Sequence, residues 1–500
     1  MPKTYKNYIN GEWVESDTGK TFKSVEPAQP DKSLGEFQKS SKKDVKKAVE
    51  AASRAFDEWR ELSRIDRAQY MLDFFNRLDQ REDELGELVS RECGKEIAEG
   101  KADVVEASHM ARYAFGNARQ PTGEVVESEI PAKDSYVHRK PVGVVASIKP
   151  WNFPIALPLW DIAITLVEGN TMVFKPAEQT PLCGVKILEI FDEIGLPDGV
   201  LNLVTGFADT GKAMVEHQDV RSVLFTGSCE VGHQIMEAAG GMRGKTATCE
   251  MGGKNGIIIT KNADLDTAVN AAVISAFKTT GQRCVSAERL IVDEEILPEF
   301  REKFIEVSKQ VGFGHPVEED VFMGPVVDEQ QIEKIKQWNQ YARDRDDCEV
   351  LVDREDEESE NYPDGYFVGP FVYECPYKED NMVIHEEVFG PHCAIIPYSG
   401  GLEEAIEIHN STDYGLAFSV ITEDYREARK ARRLCEYGIG YHNLPSIGAE
   451  VHLPFGGVKQ SGSGISAGKD IIAAVTERAS WTVNHEKDIE MAQGLEIDME

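Results

Sequence analysis

The chain has 500 residues and a formal net charge of −34, and at this length we expect two or three lobes rather than a single core. Such an acidic balance excludes a nucleic-acid backbone or an anionic membrane as a partner. There is no signal-like N-terminus and no apolar run near the ~20 residues of a membrane span, which predicts a cytoplasmic protein.

From Val142 onward, apolar β-rich runs alternate with helical patterns, which predicts a parallel, doubly wound α/β sheet. Strands are predicted in the first lobe at 142–148, 171–176, 199–204, 221–227 and 245–250. The alternation continues in a second α/β lobe, which is interrupted at about 312–385 and has strands predicted at 289–292, 393–398, 415–422 and 439–443.

Two short alternating strands lie outside both lobes, near 135–143 and 477–486. Exposed strands need a partner for their backbone groups, and a neighbouring subunit is the expected one. The pattern therefore predicts a homodimer or a homotetramer.

Cys284 is the candidate nucleophile. The nine cysteines show no C-x-x-C pair and no metal-ligand spacing, so we expect reduced thiols and no metal. Cys284 lies between a helical run and a strand, where a thiol can face a cleft, and an inert buried thiol is the alternative. A thiolate attacking an aldehyde gives a thiohemiacetal whose hydride can leave, and then a thioester that water hydrolyses. That chemistry requires an oxyanion donor, a base and a hydride acceptor.

Asn152 and Glu250 are candidates for the donor and the base. Two prolines around Trp-Asn-Phe fix the backbone of Asn152, so its amide can be held toward a developing oxyanion. Glu250 ends a predicted strand just before two glycines and could deprotonate the hydrolytic water. In isolation, a rigid turn with an ordinary polar asparagine is the favoured explanation of Asn152, and a surface or ion-paired glutamate explains Glu250 equally well.

Two predicted strands end in loops suited to a dinucleotide. The first loop contains Lys175 and Glu178, and the second contains Gly227 and Ser228, with Gly232 in the helix that follows. Such sheets bind ligands at the carboxyl ends of their strands, and a helix N-terminus can support a pyrophosphate. The glycine spacing is not the G-x-G-x-x-G fingerprint, so alone it indicates only a turn.

Together these pieces resemble the aldehyde dehydrogenase superfamily, from about Tyr8 to Asn484. The motifs PWNFP, KPAEQTP, FTGS, EMGGKN and GQRC occur in register, and EEVFGP and LPFGG extend the match. The resemblance implies an α/β fold with a Rossmann-type cofactor domain, a second α/β catalytic domain and a small β oligomerisation segment. In this chain the cofactor domain is expected at 1–120, 141–250 and 455–472, the catalytic domain at 251–454, the oligomerisation strands at 121–140 and 473–488, and a tail at 489–500.

The resemblance also implies a role for each candidate. Cys284 would be the nucleophile, Asn152 and the Cys284 backbone N–H the oxyanion hole, and Glu250 the general base. Lys175 and Glu178 would lie near the adenosine ribose, and Glu387 with Phe389 near the nicotinamide. Diphosphate contacts are expected from Gly227, Ser228 and Gly232, and further cofactor contacts from Ile148, Lys149, Pro150, Trp151, Met251 and Gly252.

NAD is the expected cofactor. The Glu178 carboxylate can accept hydrogen bonds from ribose hydroxyls but would repel a 2'-phosphate. The alternative is that Lys175 pairs with that phosphate while Glu178 turns aside, which would favour NADP.

The substrate is expected to be a semialdehyde that carries a carboxylate. Arg283 beside the nucleophile favours a thiolate and suits a substrate carboxylate, although it could pair with an acidic neighbour instead. Glu106 aligns with a helix position that lines the substrate tunnel in the family, although a solvated helix face is the alternative. In the family's semialdehyde branch, the loop matching Gly448 and Ala449 presents backbone N–H groups to the far end of the substrate.

The branch of the family is open on these residues. GQRC, SIGAE and the C-terminal tail resemble aminoadipate semialdehyde dehydrogenases, whereas HLPFGGVKQSGSG resembles branches that include those acting on 2,5-dioxopentanoate. The competing hypotheses are an uncharged aldehyde as substrate, a non-redox thiol acyltransferase or esterase, and an inactive binding protein. The acidic surface is also typical of proteins from salt-loving organisms.

Overall fold

The computed structural model describes residues 3–318, 320–357 and 361–493. The seven C-terminal residues of the expected tail, 494–500, lie outside the described residues. No helix among those described is both long and apolar enough to cross a membrane. The α-helices are Lys42–Glu61, Arg64–Asp79, Glu82–Cys93, Ile97–Asn117, Ala156–Val167, Pro181–Glu193, Ala208–Val215, Cys229–Gly240, Leu265–Phe277, Leu297–Gln310, Glu329–Arg343, Leu402–Asn410, Tyr425–Leu434 and Ile472–Val475.

The first lobe is built on a mostly parallel sheet, as the sequence predicts. Its parallel strands stand in the order Thr246–Glu250, Val220–Thr226, Val144–Ile148, Thr171–Lys175 and Leu201–Leu203. The strands Asn7–Ile9 and Glu12–Val14 extend it antiparallel at one edge. Because the central strands are parallel, Ile148, Lys175, Thr226 and Glu250 end at the same side of the sheet.

The second lobe is also an α/β layer. Its strands stand in the order Glu349–Asp353, Phe371–Glu374, His392–Tyr398, Ala287–Asp293, Asn255–Ile259, Ala417–Ile421 and Ile439–His442. All neighbouring pairs are parallel except the first. The predicted strands are confirmed in both lobes, and the interruption at 312–385 contains elements of the second lobe that the pattern did not predict. That segment supplies the strands Glu349–Asp353 and Phe371–Glu374 and the helix Glu329–Arg343.

A third, antiparallel sheet contains the two strands that the sequence places outside the lobes. Thr476–Asn484 pairs with Lys133–Pro141, which in turn pairs with Glu124–Glu127. The two predicted strands therefore satisfy part of each other's backbone within one chain. Thr476–Asn484 still lies at an edge of this sheet. The remaining strands form two small antiparallel pairs, Thr21–Glu26 with Gln29–Gln38 and Tyr414–Gly415 with Val458–Lys459.

The helices of the first lobe pack their apolar faces on its sheet. Ala156–Val167 is buried along its whole length, which fits the uninterrupted apolar sequence of that helix. Lys42–Glu61 is amphipathic instead and begins at a capping box in which Ser41 and Asp44 bond each other's backbone. The buried helix directly follows the turn that carries Asn152, so this turn is anchored in the core.

Candidate active site

Cys284 lies in a short loop between the 3₁₀ turn Lys278–Gly281 and the strand Ala287–Asp293. Its side chain is partly exposed, whereas most of the nine cysteines are buried. The Asn255 side chain donates a hydrogen bond of 2.7 Å to its backbone carbonyl. Burial raises the pKa of the Cys284 thiol to about 12, and the charges of Glu387 and Glu250 act in the same direction. The Arg283 charge opposes them and favours the thiolate.

Asn152 is brought to the same loop. Its buried Nδ2 donates a hydrogen bond of 3.1 Å to the backbone carbonyl of Gln282, two residues before the cysteine. An amide nitrogen carries two hydrogens, so one N–H is held while the second is left for another acceptor. The amide is therefore fixed beside the Cys284 loop rather than exposed in an ordinary turn.

Glu250 ends the strand Thr246–Glu250, and its carboxyl group is buried. Neither of its carboxyl oxygens has a hydrogen-bond partner among the described residues. Burial raises its pKa well above the ordinary value, while the nearby Gly457 backbone and the Lys149 charge oppose this shift. A buried carboxyl group of this kind is suited to bind and deprotonate a water molecule. The alternative of an ion-paired surface glutamate is wrong.

A groove of about 770 Å³ lies at the carboxyl ends of the first sheet's strands. Seven of the predicted cofactor residues line it, namely Ile148, Lys149, Pro150, Trp151, Lys175, Glu178 and Gly227. The sequence analysis missed the opposite wall, which the helices Ala208–Val215 and Cys229–Gly240 supply through residues such as Lys212 and Gln234. Nothing in the local sequence of these helices marks them, because they approach the groove only through the packing of the sheet.

The two lysines of the groove have different partners. Lys149 is buried and is held by Asp161 at 2.7 Å and by the Thr226 hydroxyl at 2.9 Å. Lys175 lies 3.4 Å from the partly exposed Glu178 carboxylate, and burial lowers its pKa. Lys149 is thus neutralised inside the protein, whereas the Lys175–Glu178 pair faces the groove.

The predicted diphosphate residues lie at the start of the helix Cys229–Gly240. Ser228 caps this helix by accepting a hydrogen bond from the Val231 backbone. Gly232 has no room for a side chain, because a Cβ there would collide with the sulfur of Met251. Ser228, Gly232 and Met251 therefore shape the wall behind the groove and do not line it.

Glu387 and Phe389 lie across the loop that contains Gly252. Glu387 accepts a hydrogen bond of 2.9 Å from the Gly253 backbone, and a Cβ on Gly252 would collide with its carboxylate. Burial raises the pKa of Glu387 to about 7. The Phe389 ring meets the Trp151 ring edge-on with centroids 5.6 Å apart, so this segment of the second lobe closes on the groove of the first.

Arg283 pairs with an acidic neighbour, which is the alternative that the sequence left open. Its Nη2 forms an ion pair with Glu99, and its Nε donates a hydrogen bond of 2.8 Å to the Thr279 hydroxyl. These contacts occupy two of its three nitrogens. Its guanidinium also lies over the Phe153 ring at 5.2 Å.

Glu106 is half-buried on its helix rather than fully solvated. Burial raises its pKa to about 7, and the Arg283 charge acts on it in the opposite direction. Tyr441 is a neighbour that the sequence analysis missed: its pKa is raised to about 12 by burial and by the charges of Cys284, Glu450 and Glu106. Its hydroxyl donates a hydrogen bond to the Gly448 carbonyl, which connects the strand Ile439–His442 to the predicted substrate loop.

The loop containing Gly448 and Ala449 is exposed to solvent. Gly448 has a φ of 122°, a conformation that strongly favours glycine. Because the loop is exposed, it suits the entrance of a substrate site better than the buried end of one. Beneath it, Trp160 and Phe455 pack edge-on at 4.9 Å within the same core cluster as Leu157.

Comparisons with known proteins agree with this geometry. A model of the aldehyde dehydrogenase family matches residues 13–480. The chain is 37% identical over 477 residues to the alpha-ketoglutaric semialdehyde dehydrogenase of Bacillus subtilis, covering 94% of this chain and 97% of that protein. It is 35% identical over 464 residues to the alpha-ketoglutarate semialdehyde dehydrogenase of Haloferax volcanii, covering 93% of this chain and 95% of that protein.

Solved structures give the same result. The betaine aldehyde dehydrogenase of Staphylococcus aureus in complex with NAD+ superimposes with a TM-score of 0.93 at 30% identity, covering 97% of this chain and 95% of that one. A protein named PnpE, in complex with nicotinamide adenine dinucleotide, also gives 0.93 at 33% identity, covering 98% and 99% of the two chains.

Proposed function

The chain belongs to the aldehyde dehydrogenase family, and from this premise we propose that it oxidises a semialdehyde bearing a carboxylate through a covalent intermediate on Cys284. The chemistry is that of an NAD(P)-dependent oxidoreductase. One observation carries the proposal, namely that a partly exposed thiol has a fixed amide beside its loop and lies close enough to a buried carboxyl group, Glu250, for that group's charge to act on it.

The first half of the reaction uses the thiol and the amide. Once deprotonated, the Cys284 sulfur attacks the aldehyde carbon, and the carbonyl oxygen becomes an oxyanion. The second N–H of Asn152 and the Cys284 backbone N–H donate to that oxyanion, and their fixed positions avoid reorganisation during the reaction. The carbon then loses its hydrogen as a hydride, which leaves a thioester on Cys284.

The second half uses Glu250. In its deprotonated form the carboxylate takes a proton from a water molecule whose oxygen attacks the thioester carbon. The carbon–sulfur bond breaks, the carboxylic acid leaves, and the thiol is restored. Because Glu250 has no competing partner among the described residues, its carboxylate is available for this water.

The residues of the 770 Å³ groove fit a dinucleotide, and they include the Lys175–Glu178 pair and the Trp151 ring. When bound, NAD supplies the acceptor for the hydride. The relatives solved with NAD+ support this cofactor. Glu178 would accept hydrogen bonds from the adenosine ribose hydroxyls, while Gly227 and the N-terminus of the helix Cys229–Gly240, which Ser228 caps, would support the diphosphate.

The relatives named for alpha-ketoglutaric semialdehyde support 2,5-dioxopentanoate, which carries a single carboxylate, over the aminoadipate branch. Arg283 would act as anchor through Nη1, the nitrogen that Glu99 and Thr279 do not occupy. The backbone N–H groups of Gly448 and Ala449 would meet the far end of the substrate. The carboxyl group of Glu106, which lies close enough to Arg283 to feel its charge, would set the net charge around the anchor.

A homo-oligomer is part of the same proposal. Val125, Tyr136 and Trp481 stand opposite one another across the third sheet. They form an apolar row that is exposed by 80%, 37% and 63% respectively. A symmetric partner subunit could cover this apolar row and pair with the edge strand Thr476–Asn484. It would then bury the exposed apolar side chains and satisfy the unpaired backbone groups of that strand.

The test of the reaction replaces the nucleophile. Cys284→Ala should abolish the absorbance rise of reduced nicotinamide when 2,5-dioxopentanoate and NAD are added. Cys348→Ala is the matched control, because Cys348 is also partly exposed but lies next to the strand Glu349–Asp353, and it should keep the parent rate. Retained oxidation in Cys284→Ala, or parent enzyme that releases acid without any nicotinamide signal, would contradict the proposal.

The test of the substrate class replaces Arg283. Arg283→Met keeps an unbranched apolar side chain but removes the guanidinium group and its charge, so KM for 2,5-dioxopentanoate should rise by about tenfold or more. KM for hexanal, which carries no carboxylate, should change little. Equal losses for both aldehydes, or a parent enzyme that prefers hexanal, would show that Arg283 is not the anchor.

A further inference from the structure

The loop before the nucleophile has an unusual backbone. Thr279, Thr280 and Gly281 are consecutive residues with φ values of 55°, 56° and 70°. The left-handed region suits glycine, but for β-branched residues such as threonine it is a genuine outlier. Two such residues in a row persist only where surrounding contacts determine their conformation.

Glu99 supplies those contacts for Thr279. Its Oε2 accepts a hydrogen bond of 2.9 Å from the Thr279 backbone, and its Oε1 accepts one of 2.6 Å from the Thr279 hydroxyl. The same carboxylate forms the ion pair with Arg283. Glu99 lies in the first turn of Ile97–Asn117, so it connects the first lobe's helical layer directly to the loop.

The Glu99 carboxylate is both buried and charged. Burial on its own raises its pKa, but the Arg283 charge and the Thr279 hydroxyl bond outweigh it, and the pKa lies below the ordinary value. Hydrogen bonds to an ionised acceptor are stronger and more directional than neutral ones. The carboxylate is therefore able to hold a backbone that the sequence itself disfavours.

Other contacts fix the rest of the loop without involving Glu99. The Thr280 hydroxyl donates a hydrogen bond of 2.8 Å to the Gly324 carbonyl, and the Gln282 side chain accepts one of 3.0 Å from the Val327 backbone N–H. The Gln282 carbonyl is in turn the acceptor that holds Asn152. A shift at Thr279 would thus reach the nucleophile and the oxyanion donor together, through residues 280–283.

We propose that Glu99 is a positioning residue for the reaction: it holds Thr279 in its left-handed conformation and thereby sets Cys284 against Asn152. The inference rests on the proposed role of Cys284. It differs from substrate anchoring by Arg283, because a misplaced nucleophile slows the chemistry of every aldehyde, whereas a lost anchor weakens the binding of an acidic one.

The first experiment compares Glu99→Gln with Glu168→Gln. Glu168 is a matched control, since it also pairs with an arginine, Arg64, at side-chain exposures of 5% and 16% against 8% and 14% for the Glu99–Arg283 pair. Glu99→Gln should lower kcat by about tenfold or more for both 2,5-dioxopentanoate and hexanal, with KM for NAD within twofold. Glu168→Gln should lower the melting temperature to a similar extent while keeping kcat per titrated Cys284 thiol.

The second experiment keeps the proposal testable if Glu99→Gln does not fold. Thr279→Val preserves the shape of the side chain but removes the hydroxyl that lies between Glu99 and Arg283. Thr279→Ser restores that hydroxyl. We expect Thr279→Val to lower kcat for both aldehydes and Thr279→Ser to recover most of the rate.

Two results would overturn the inference: a kcat within twofold of the parent in Glu99→Gln and Thr279→Val, or an equal loss of kcat in Glu168→Gln. A failure of the proposed function is distinct, because then the parent enzyme itself would form no reduced nicotinamide. In each variant the alkylated fraction of the Cys284 peptide is measured by mass spectrometry after iodoacetamide treatment, because Cys229 and Cys348 are also partly exposed. Circular dichroism measures the folded fraction, so an unfolded fraction is not mistaken for a slow enzyme.

Discussion

Glu250 and Cys284 share an environment that disfavours charge, yet the proposed chemistry needs both in their charged forms. Burial raises the pKa of the thiol to about 12 and that of the carboxyl group well above its ordinary value. Both groups therefore gain their reactive form as the pH rises. The two steps are separable in time, because the thiol acts before the hydride leaves and the carboxylate acts afterwards.

Glu250→Gln should separate these steps. The variant keeps the shape of the side chain but cannot deprotonate water, so we expect a first burst of reduced nicotinamide followed by a steady rate lower by about 10²–10⁴-fold. In the parent enzyme the steady rate should fall as the pH drops through the raised pKa of Glu250, because protonation removes the base. Stopped-flow absorbance from pH 6 to 10 measures both phases.

The absence of a burst in Glu250→Gln, with the melting temperature unchanged, would place Glu250 before hydride transfer, as the base that activates the thiol. A steady rate that stays flat with pH in the parent would also contradict its role in hydrolysis.

We expect Glu178 to determine which of the two dinucleotides the enzyme prefers. Its carboxylate is partly exposed beside Lys175, so a 2'-phosphate placed there would meet a negative charge. The parent enzyme should therefore have a higher kcat/KM with NAD. Glu178→Gln should raise the NADP-to-NAD ratio of kcat/KM by about tenfold, since it removes the repulsion and leaves the Lys175 charge. A parent that prefers NADP would show that Lys175 pairs with the phosphate while Glu178 turns aside.

At the scale of secondary-structure elements, the alternating patterns predict strands such as Thr171–Lys175 to within a residue or two. They fail where the element is short or its partner distant in sequence. Asn7–Ile9 has only three residues, and its place beside Leu201–Leu203 is set by a contact almost two hundred residues away. Phe371–Glu374 was missed for the same reason, since its neighbours are on other segments.

The residues of the site also fall into those that local sequence motifs predict and those that only distant contacts reveal. Cys284, Asn152 and Glu250 stand in local motifs whose chemistry can be recognised along the chain, and the structure brings them together. Glu99 and Tyr441 carry no such signal. They matter through contacts with Thr279 and Gly448 that only the packing of helices and strands creates.

The edge strand Thr476–Asn484 gives a prediction at this scale. Trp481→Asp places a charge in the apolar row that a partner subunit would cover, so the oligomer should dissociate toward monomers. Ile65→Asp is the control, because Ile65 is 45% exposed on the helix Arg64–Asp79, away from the third sheet. Light scattering coupled to gel filtration measures the mass. A parent that is monomeric, or a variant with unchanged mass, would contradict the proposed interface.

At the scale of the whole molecule, the surplus of negative charge has to be accommodated at the surface. Several buried carboxylates are paired with lysines, such as Asp103 with Lys95 at 2.9 Å and Glu288 with Lys254 at 2.5 Å. Among the residues that the structure describes, many exposed carboxylates have no such cation. The helix Leu297–Gln310 carries Glu299, Glu302 and Glu306 on its exposed positions.

We therefore expect stability to depend on salt. The net charge of −34 repels itself across the surface, and this repulsion is felt over ~30 Å at 0.01 M salt but only ~3 Å at 1 M. The melting temperature should rise between 0.05 and 2 M potassium chloride by on the order of 5 °C or more, and activity at a fixed temperature should rise with it.

Replacing Glu299, Glu302 and Glu306 by glutamine removes three negative charges, so this variant should be more stable than the parent at low salt and gain less from added salt. Sucrose at matched osmolality is the control, because it stabilises by exclusion from the surface without screening charge, and it should not reduce the difference between the two proteins. A melting temperature that is flat or falls with potassium chloride, or an equal response of parent and variant, would mean that surface repulsion does not limit the stability of this molecule.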